Sequence, residues 1–285
     1  MHRAASHAPQ STAERPAWWQ WPSVLSLEVP LIAVVWQRLF GSALGGHVRW
    51  PESLLLGLVV WLIYSADRLL DGLGKQARNT TRHQFYIRHC RSVVSVWLVI
   101  CIGSLGLALT LLEPQELVGG ALLAAAMLGY FFSRHRGRPE RHPKEAQIAL
   151  LFALGVGLMP LLGGASPALL LLFSTLFATL IFLNCAFIAL WEGAHDLEPA
   201  PFASRHPRLA HHLRSLALSL AWSCALVIVI LPTTSALGLA LVGSSLLLYS
   251  LDSPDLATRL GPEARRVVGD AALLTPLLIL LWLHA

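Results

Sequence analysis

The chain has 285 residues, 55% of them apolar and only 13% charged, where an average soluble domain carries roughly 25% charged residues. So little polar surface cannot cover a soluble globule of this size, and so much apolar content excludes disorder. Four cysteines exclude a disulfide scaffold, and no CxxC pair marks a zinc site. Cys101, Cys185 and Cys224 lie in apolar runs, where a thiol is a small hydrophobe.

In chain order, residues 1–22 are polar and read as a cytoplasmic N-terminal tail, without the apolar core of a cleaved signal peptide. Trp18, Trp19 and Trp21 close this tail as an interfacial belt. Nine apolar runs follow, each long enough for a membrane-crossing helix of about 20 residues. They are expected at 24–44, 53–71, 93–112, 117–133, 146–163, 168–192, 212–231, 234–251 and 267–283. The first holds Glu28, Pro30 and Arg38. Only Glu113-Pro114-Gln115-Glu116, a tight turn, separates the third from the fourth. The expected fold is all-α: a single polytopic domain over 23–285 with nine transmembrane helices, two four-helix halves and one more. Run length and the lack of period-two alternation exclude a β-barrel.

Charge orients this array. With the N-terminus inside, eighteen of the 21 Lys and Arg residues fall on the cytoplasmic side. Arg49 falls outside, and Arg38 and Arg68 lie within spans. That asymmetry follows the positive-inside rule, so the net charge of +5 is a topology signal rather than one for nucleic acid. The expected location is the inner, cytoplasmic membrane, with membrane lipid as a partner.

Two acid pairs then stand out. Asp67 and Asp71 close the second span, and Glu192 and Asp196 close the sixth. Each pair is spaced i, i+4, on one helix face. Asn184 lies two turns before Glu192 on the same face. Four crossings separate the pairs, so both reach the same side. Carboxylates there meet the negative end of the helix dipole and repel one another, which calls for a neutralising cation. The plainer reading is an ion pair with Arg68 or a loop arginine. Four oxygen donors at a bundle rim suit Mg²⁺. A loop rich in phosphate-binding groups follows the first pair: Lys75, Arg78, Asn79, Thr80, Thr81, Arg82, His83, Tyr86, Arg88 and His89. Metal, basic loop and apolar bundle together point to a lipid-tailed diphosphate whose head sits at the rim.

These motifs resemble those of the UbiA superfamily of intramembrane prenyltransferases. Asp67 and Asp71 match the acids of its NxxxDxxxD motif, with Ile63 where the family has Asn. Glu192 and Asp196 look like its DxxxD motif. Thr80 or Thr81 with Arg82 resembles its Thr and phosphate-binding Arg, and Tyr130 with Arg134 its Tyr…Lys/Arg pattern. The resemblance implies a Mg²⁺-dependent transfer of a prenyl group from a polyprenyl diphosphate to an aromatic or other lipophilic acceptor. By it, Asp67, Asp71, Glu192 and Asp196 hold the metal. Lys75, Arg78, Arg82 and Arg134 bind diphosphate, and Tyr64, Tyr130 and Asn184 line the substrate site. Tyr64, Phe182, Phe187 and Trp191 are candidates to shelter an allylic cation. Some members of that superfamily cyclise the prenyl chain instead.

Two other classes remain open. A transporter couples intramembrane acids to H⁺ or Na⁺. A di-iron membrane oxidase uses histidine boxes, and His206, His211 and His212 supply an HxxxxHH spacing. Elsewhere, Asp270 is expected to pair with Arg266 at i, i+4, and Lys144-Glu145 to anchor the fifth span at the interface.

Overall fold

The computed structural model describes residues 17–73, 81–135, 143–193 and 206–283. Those residues form helices, with no strand among them. A 3₁₀ turn at Trp18–Gln20 leads into α1 (Trp21–Val24) and α2 (Glu28–Leu44). Then come α3 (Trp50–Leu73), the short α4 (Thr81–Arg88), α5 (Cys90–Leu111), α6 (Pro114–His135), α7 (Lys144–Leu162) and α8 (Pro167–Gly193). The chain closes with α9 (Pro207–Ile230), α10 (Ser235–Leu251), α11 (Pro254–Arg259), α12 (Pro262–Ala271) and α13 (Thr275–Leu283). Proline opens α6, α8, α9, α11 and α12, where its missing N–H costs nothing. Gly45 ends α2 in the left-handed conformation at φ 74°, which glycine adopts without steric cost.

Among the described residues, seven helices are long and apolar enough to cross a membrane: α3, α5, α6, α7, α8, α9 and the α10 segment. An eighth joins them if Trp18–Val24 and Glu28–Leu44, bent by 73°, count as one span. Nine spans were expected. The first is bent at its entry, where Ser26 takes a positive φ of 56°. The last, expected over 267–283, is broken into α12, a 3₁₀ turn at Ala272–Leu274, and α13. Pro276 at the second position of α13 removes a backbone donor and excludes the carbonyl of the preceding turn, so the helix cannot run through.

Neighbouring helices hold the break in place. Trp36 of α2 donates its indole N–H to Leu273 O at 2.8 Å, and Thr275 Oγ1 donates to Ala240 O of α10 at 2.9 Å. Irregular backbone inside a bundle needs such partners because no water supplies them. α2 is the hub. It packs on α3, α7, α8, α10, α12 and α13. Its Trp36 and Phe40 meet Phe177 of α8 at centroid distances of 4.6 and 5.7 Å. By contrast α5 and α6 are exposed along most of their length, with Val99, Ile102, Leu122 and Phe132 on the surface. Such a surface needs an apolar surrounding.

The end of the bundle opposite Glu28 and Glu192 is clamped twice. Arg49 binds Glu52 and reaches Glu116 of α6 at 2.8 Å, and the hydrogen bond it donates to Glu52 raises the guanidinium's pKa further. Beside it, His47 N–H donates to Gly163 O at 2.9 Å. A Cβ at Gly163 would collide with the His47 carbonyl oxygen, and one at Gly46 would stand 2.7 Å from Pro160 O. Gly163→Ala should therefore force backbone movement and lower stability by about 1–3 kcal/mol. Thermal unfolding in detergent measures this. Gly103→Ala, at a position open on all sides, should leave the transition unchanged.

Candidate functional site at the acid-bearing end of the bundle

The charged groups of four helices converge at one end. α2 contributes Glu28 at its first turn, α3 contributes Tyr64, Asp67 and Arg68, α8 contributes Asn184, Cys185 and Glu192, and α12 contributes Arg265, Arg266 and Asp270. Arg266 is the centre. Its Nη2 lies 3.6 Å from Glu28 Oε1 and its Nε 3.6 Å from Glu192 Oε1. Both distances exceed a hydrogen bond, so the contacts are Coulombic rather than a bidentate fork. All three side chains are largely shielded, and screening by water is correspondingly weak.

Around this triad the neighbours make specific contacts, although Asn184 Oδ1 and Arg265 Nε are buried without a hydrogen-bond partner among the described residues. Asn184 Nδ2 donates to Asp270 Oδ1 at 3.0 Å. Arg265 lies over the Trp191 ring at 5.4 Å, and that indole donates to Asp252 at 2.9 Å. Phe187 stacks on Trp191 at 5.6 Å. Gly269 permits the close approach of α12 to α8, since a Cβ there would stand 3.1 Å from the Trp191 ring. On the α3 side, Arg68 Nε donates to Ser26 Oγ at 2.9 Å. Ser26 Oγ also shares a 3.2 Å hydrogen bond with the Tyr86 hydroxyl of α4. Burial pushes the Tyr86 phenol above its ordinary pKa, partly offset by Ser26, so it stays a neutral hydroxyl at neutral pH. Tyr64 lies within electrostatic reach of Asp67, Arg68, Cys185 and Asp270. Glu145, at the start of α7, is buried and within reach of Cys185.

Several expected roles change. Arg266 does not serve Asp270; it turns to Glu28 and Glu192, while Asp270 takes Asn184. Arg68 engages the bend at Ser26. Glu145 is an interior group and not an interfacial anchor. Lys75, Arg78 and Asp196 lie outside the described residues, as do the side chains of Asp71, Arg82 and Arg134. Tyr130 stands near the end of α6, a helix that packs on α7, with its ring 5.7 Å from Phe131. Glu28, Arg265 and Arg266 were not assigned to the site from the sequence. A carboxylate inside the first apolar run was the available signal for Glu28.

Four carboxylates have the donor chemistry that magnesium takes. Among the described residues, however, no three His, Cys, Asp or Glu side chains gather to hold a metal. This holds for the His206, His211 and His212 set too, although His211 and His212 stand 5.0 Å apart. Glu192 already faces a guanidinium, so a metal ion would share or contest it. No family-wide sequence pattern, no curated protein and no solved structure matches this chain.

The triad makes a direct forecast. Arg266→Gln leaves two shielded carboxylates facing each other, and removing one partner of a buried pair costs about 3–5 kcal/mol. Thermal unfolding in detergent should show that loss. Adding Glu28→Gln to the same chain should restore part of it, because one of the two uncompensated charges is then gone.

Proposed function

We propose that the chain is a Mg²⁺-dependent intramembrane prenyltransferase of the UbiA kind, a nine-helix bundle in the cytoplasmic membrane with the acid-bearing end on the cytoplasmic side. It moves a prenyl group from a polyprenyl diphosphate to an aromatic or other lipophilic acceptor. The observation that carries the reading is that the motif-bearing ends of α3 and α8 lie at the same end of the bundle. Tyr64 and Asp67 of α3 stand at the same end of the bundle as Asn184 and Glu192 of α8, with Tyr64 in electrostatic reach of Cys185.

The chemistry asks for three things, and groups for each stand at this end. Breaking an allylic carbon–oxygen bond leaves a diphosphate whose negative charge must be met by fixed donors. The guanidinium groups of Arg68, Arg265 and Arg266 stand buried there, and guanidinium suits phosphate oxygens. The allylic fragment carries positive charge, which aromatic faces stabilise; the Phe187–Trp191 stack supplies two. The acceptor must give up a proton, and Glu28 is a shielded carboxylate beside these groups. Asp67, Asp71, Glu192 and Asp196 would hold magnesium, which would supply Lewis acidity to the leaving group.

A second reading has its own observation. One guanidinium between two carboxylates, Glu28–Arg266–Glu192, also fits an ion-coupled transporter, in which paired ionisable groups inside the bundle mark the ion pathway. Binding of a geranylgeranyl diphosphate analogue to detergent-purified protein separates the two. Binding that requires Mg²⁺ and falls at least about tenfold in Asp67→Ala, the loss of one charge-assisted ligand, is the expected result. Absence of binding with and without Mg²⁺, in protein whose unfolding transition is intact, would sink the transferase and put the transporter first.

A further inference from the structure

A second feature lies on the outer side of α3, away from the ion triad. The first turns of α2, the N-terminal half of α3, α4 and the start of α5 enclose a groove of about 710 Å³. Its floor runs along α3 from Trp50 to Trp61, about 17 Å at 1.5 Å per residue. Pro30 and Val34 form one wall and Val93, Val96 and Ile100 the other. Gly57 deepens it, since a Cβ there would reach to 3.3 Å from Val34. The lining is almost wholly carbon.

The two ends of the groove differ in chemistry. Trp50 stands at one end. At the other, Phe85, Tyr86, His89 and Ser92 close it. Tyr86 turns its ring to the groove and its hydroxyl away, to Ser26. His89 and Ser92 lie at this end, flanked by the exposed Arg88 and Arg91. Trp18 and Trp21, both exposed, sit on the same side, with Trp21 edge-on to Phe85 at 6.0 Å. Exposed tryptophans beside an arginine-bearing short helix belong at the headgroup level of a bilayer.

The geometry points to a bound anionic phospholipid: one acyl chain lies in the groove, and the phosphate sits on Arg88 and Arg91 at the α4–α5 corner. The charge at the mouth selects the head, since basic side chains draw anionic headgroups. The carbon lining takes the chain, with the Ser53 hydroxyl the one buried side-chain polar atom on the groove wall that lacks a partner among the described residues. This site is separate from the ion triad, and it does not depend on the proposed reaction.

The test uses the full chain, purified from nanodiscs made of phosphatidylcholine with a one-fifth share of phosphatidylglycerol, and native mass spectrometry of the retained lipid. Phosphatidylglycerol should be retained in preference to phosphatidylcholine. The preference should fall about fivefold for each arginine removed in Arg88→Gln and Arg91→Gln, the weight of one basic side chain near an anionic surface. Val96→Trp fills the groove from a half-exposed position and should abolish retention while leaving the thermal transition in place. Equal retention of both lipids would mean ordinary surrounding bilayer and would overturn the proposal. So would retention unchanged in Val96→Trp, because the chain would then lie elsewhere. Should Val96→Trp unfold, Leu54→Trp, from another half-exposed position on the groove floor, answers the same question.

Discussion

A guanidinium held away from water must have its charge met by the protein, and that requirement arranges the acid-bearing end. Arg266 stands between Glu28 and Glu192, so α12 cannot leave without stranding acids on α2 and α8. The penalty for such a separation is several kcal/mol per uncompensated charge. This explains why the beginning of the chain and its last helices share a core. The same constraint places Asp270 beside Asn184 and Arg265 over Trp191. One ion triad therefore fixes the register of three helices, and the groups with chemical potential follow from that register.

The hub helix then needs its other end held as well. α2 is bent at Ser26 and capped at Gly45. At its far end the α2–α3 connection locks to the α7–α8 connection through His47 and Gly163. Between the two clamps lies an aromatic core of Trp36, Phe40 and Phe177. Trp36 also satisfies a carbonyl freed where the chain breaks at 272–274. The broken last helix is thus a supported feature: the Leu273 carbonyl meets a donor from α2, and the Thr275 hydroxyl ties the break to α10.

Most helices were legible from apolar runs alone, because a membrane-length run has few other uses. Their interruptions were less so. The break at Ala272–Leu274 was masked by a continuous apolar stretch, although Pro276 carried the warning. The i, i+4 rule misread the partner of Arg266. Spacing along a helix says which groups are neighbours, not which of them a second helix will claim. Arg266 chose Glu28, 238 positions away in the chain, over Asp270 on its own turn. Tertiary electrostatics of this kind leaves no local trace. Glu28 and Asp270 were visible as isolated acids within apolar runs; that they share one site became visible only with the packing.

The two motif helices are held unequally, and this bears on any reaction at their ends. α8 is packed on α7, α9, α10 and α12. α3 rests on α2, α4 and α5 and touches α7, and α5 itself has little protein around it. Local opening is easiest where buried contacts are fewest. Asn184 and Glu192 therefore belong to a rigid frame, whereas Tyr64, Asp67 and Arg68 sit on a helix whose outer support is one exposed helix and one short one. The link from Arg68 through Ser26 to Tyr86 ties that less supported side to α4. α4 also lines the apolar groove. The α3 side of the site thus borders the surroundings of the bundle, while the α8 side is set by its interior.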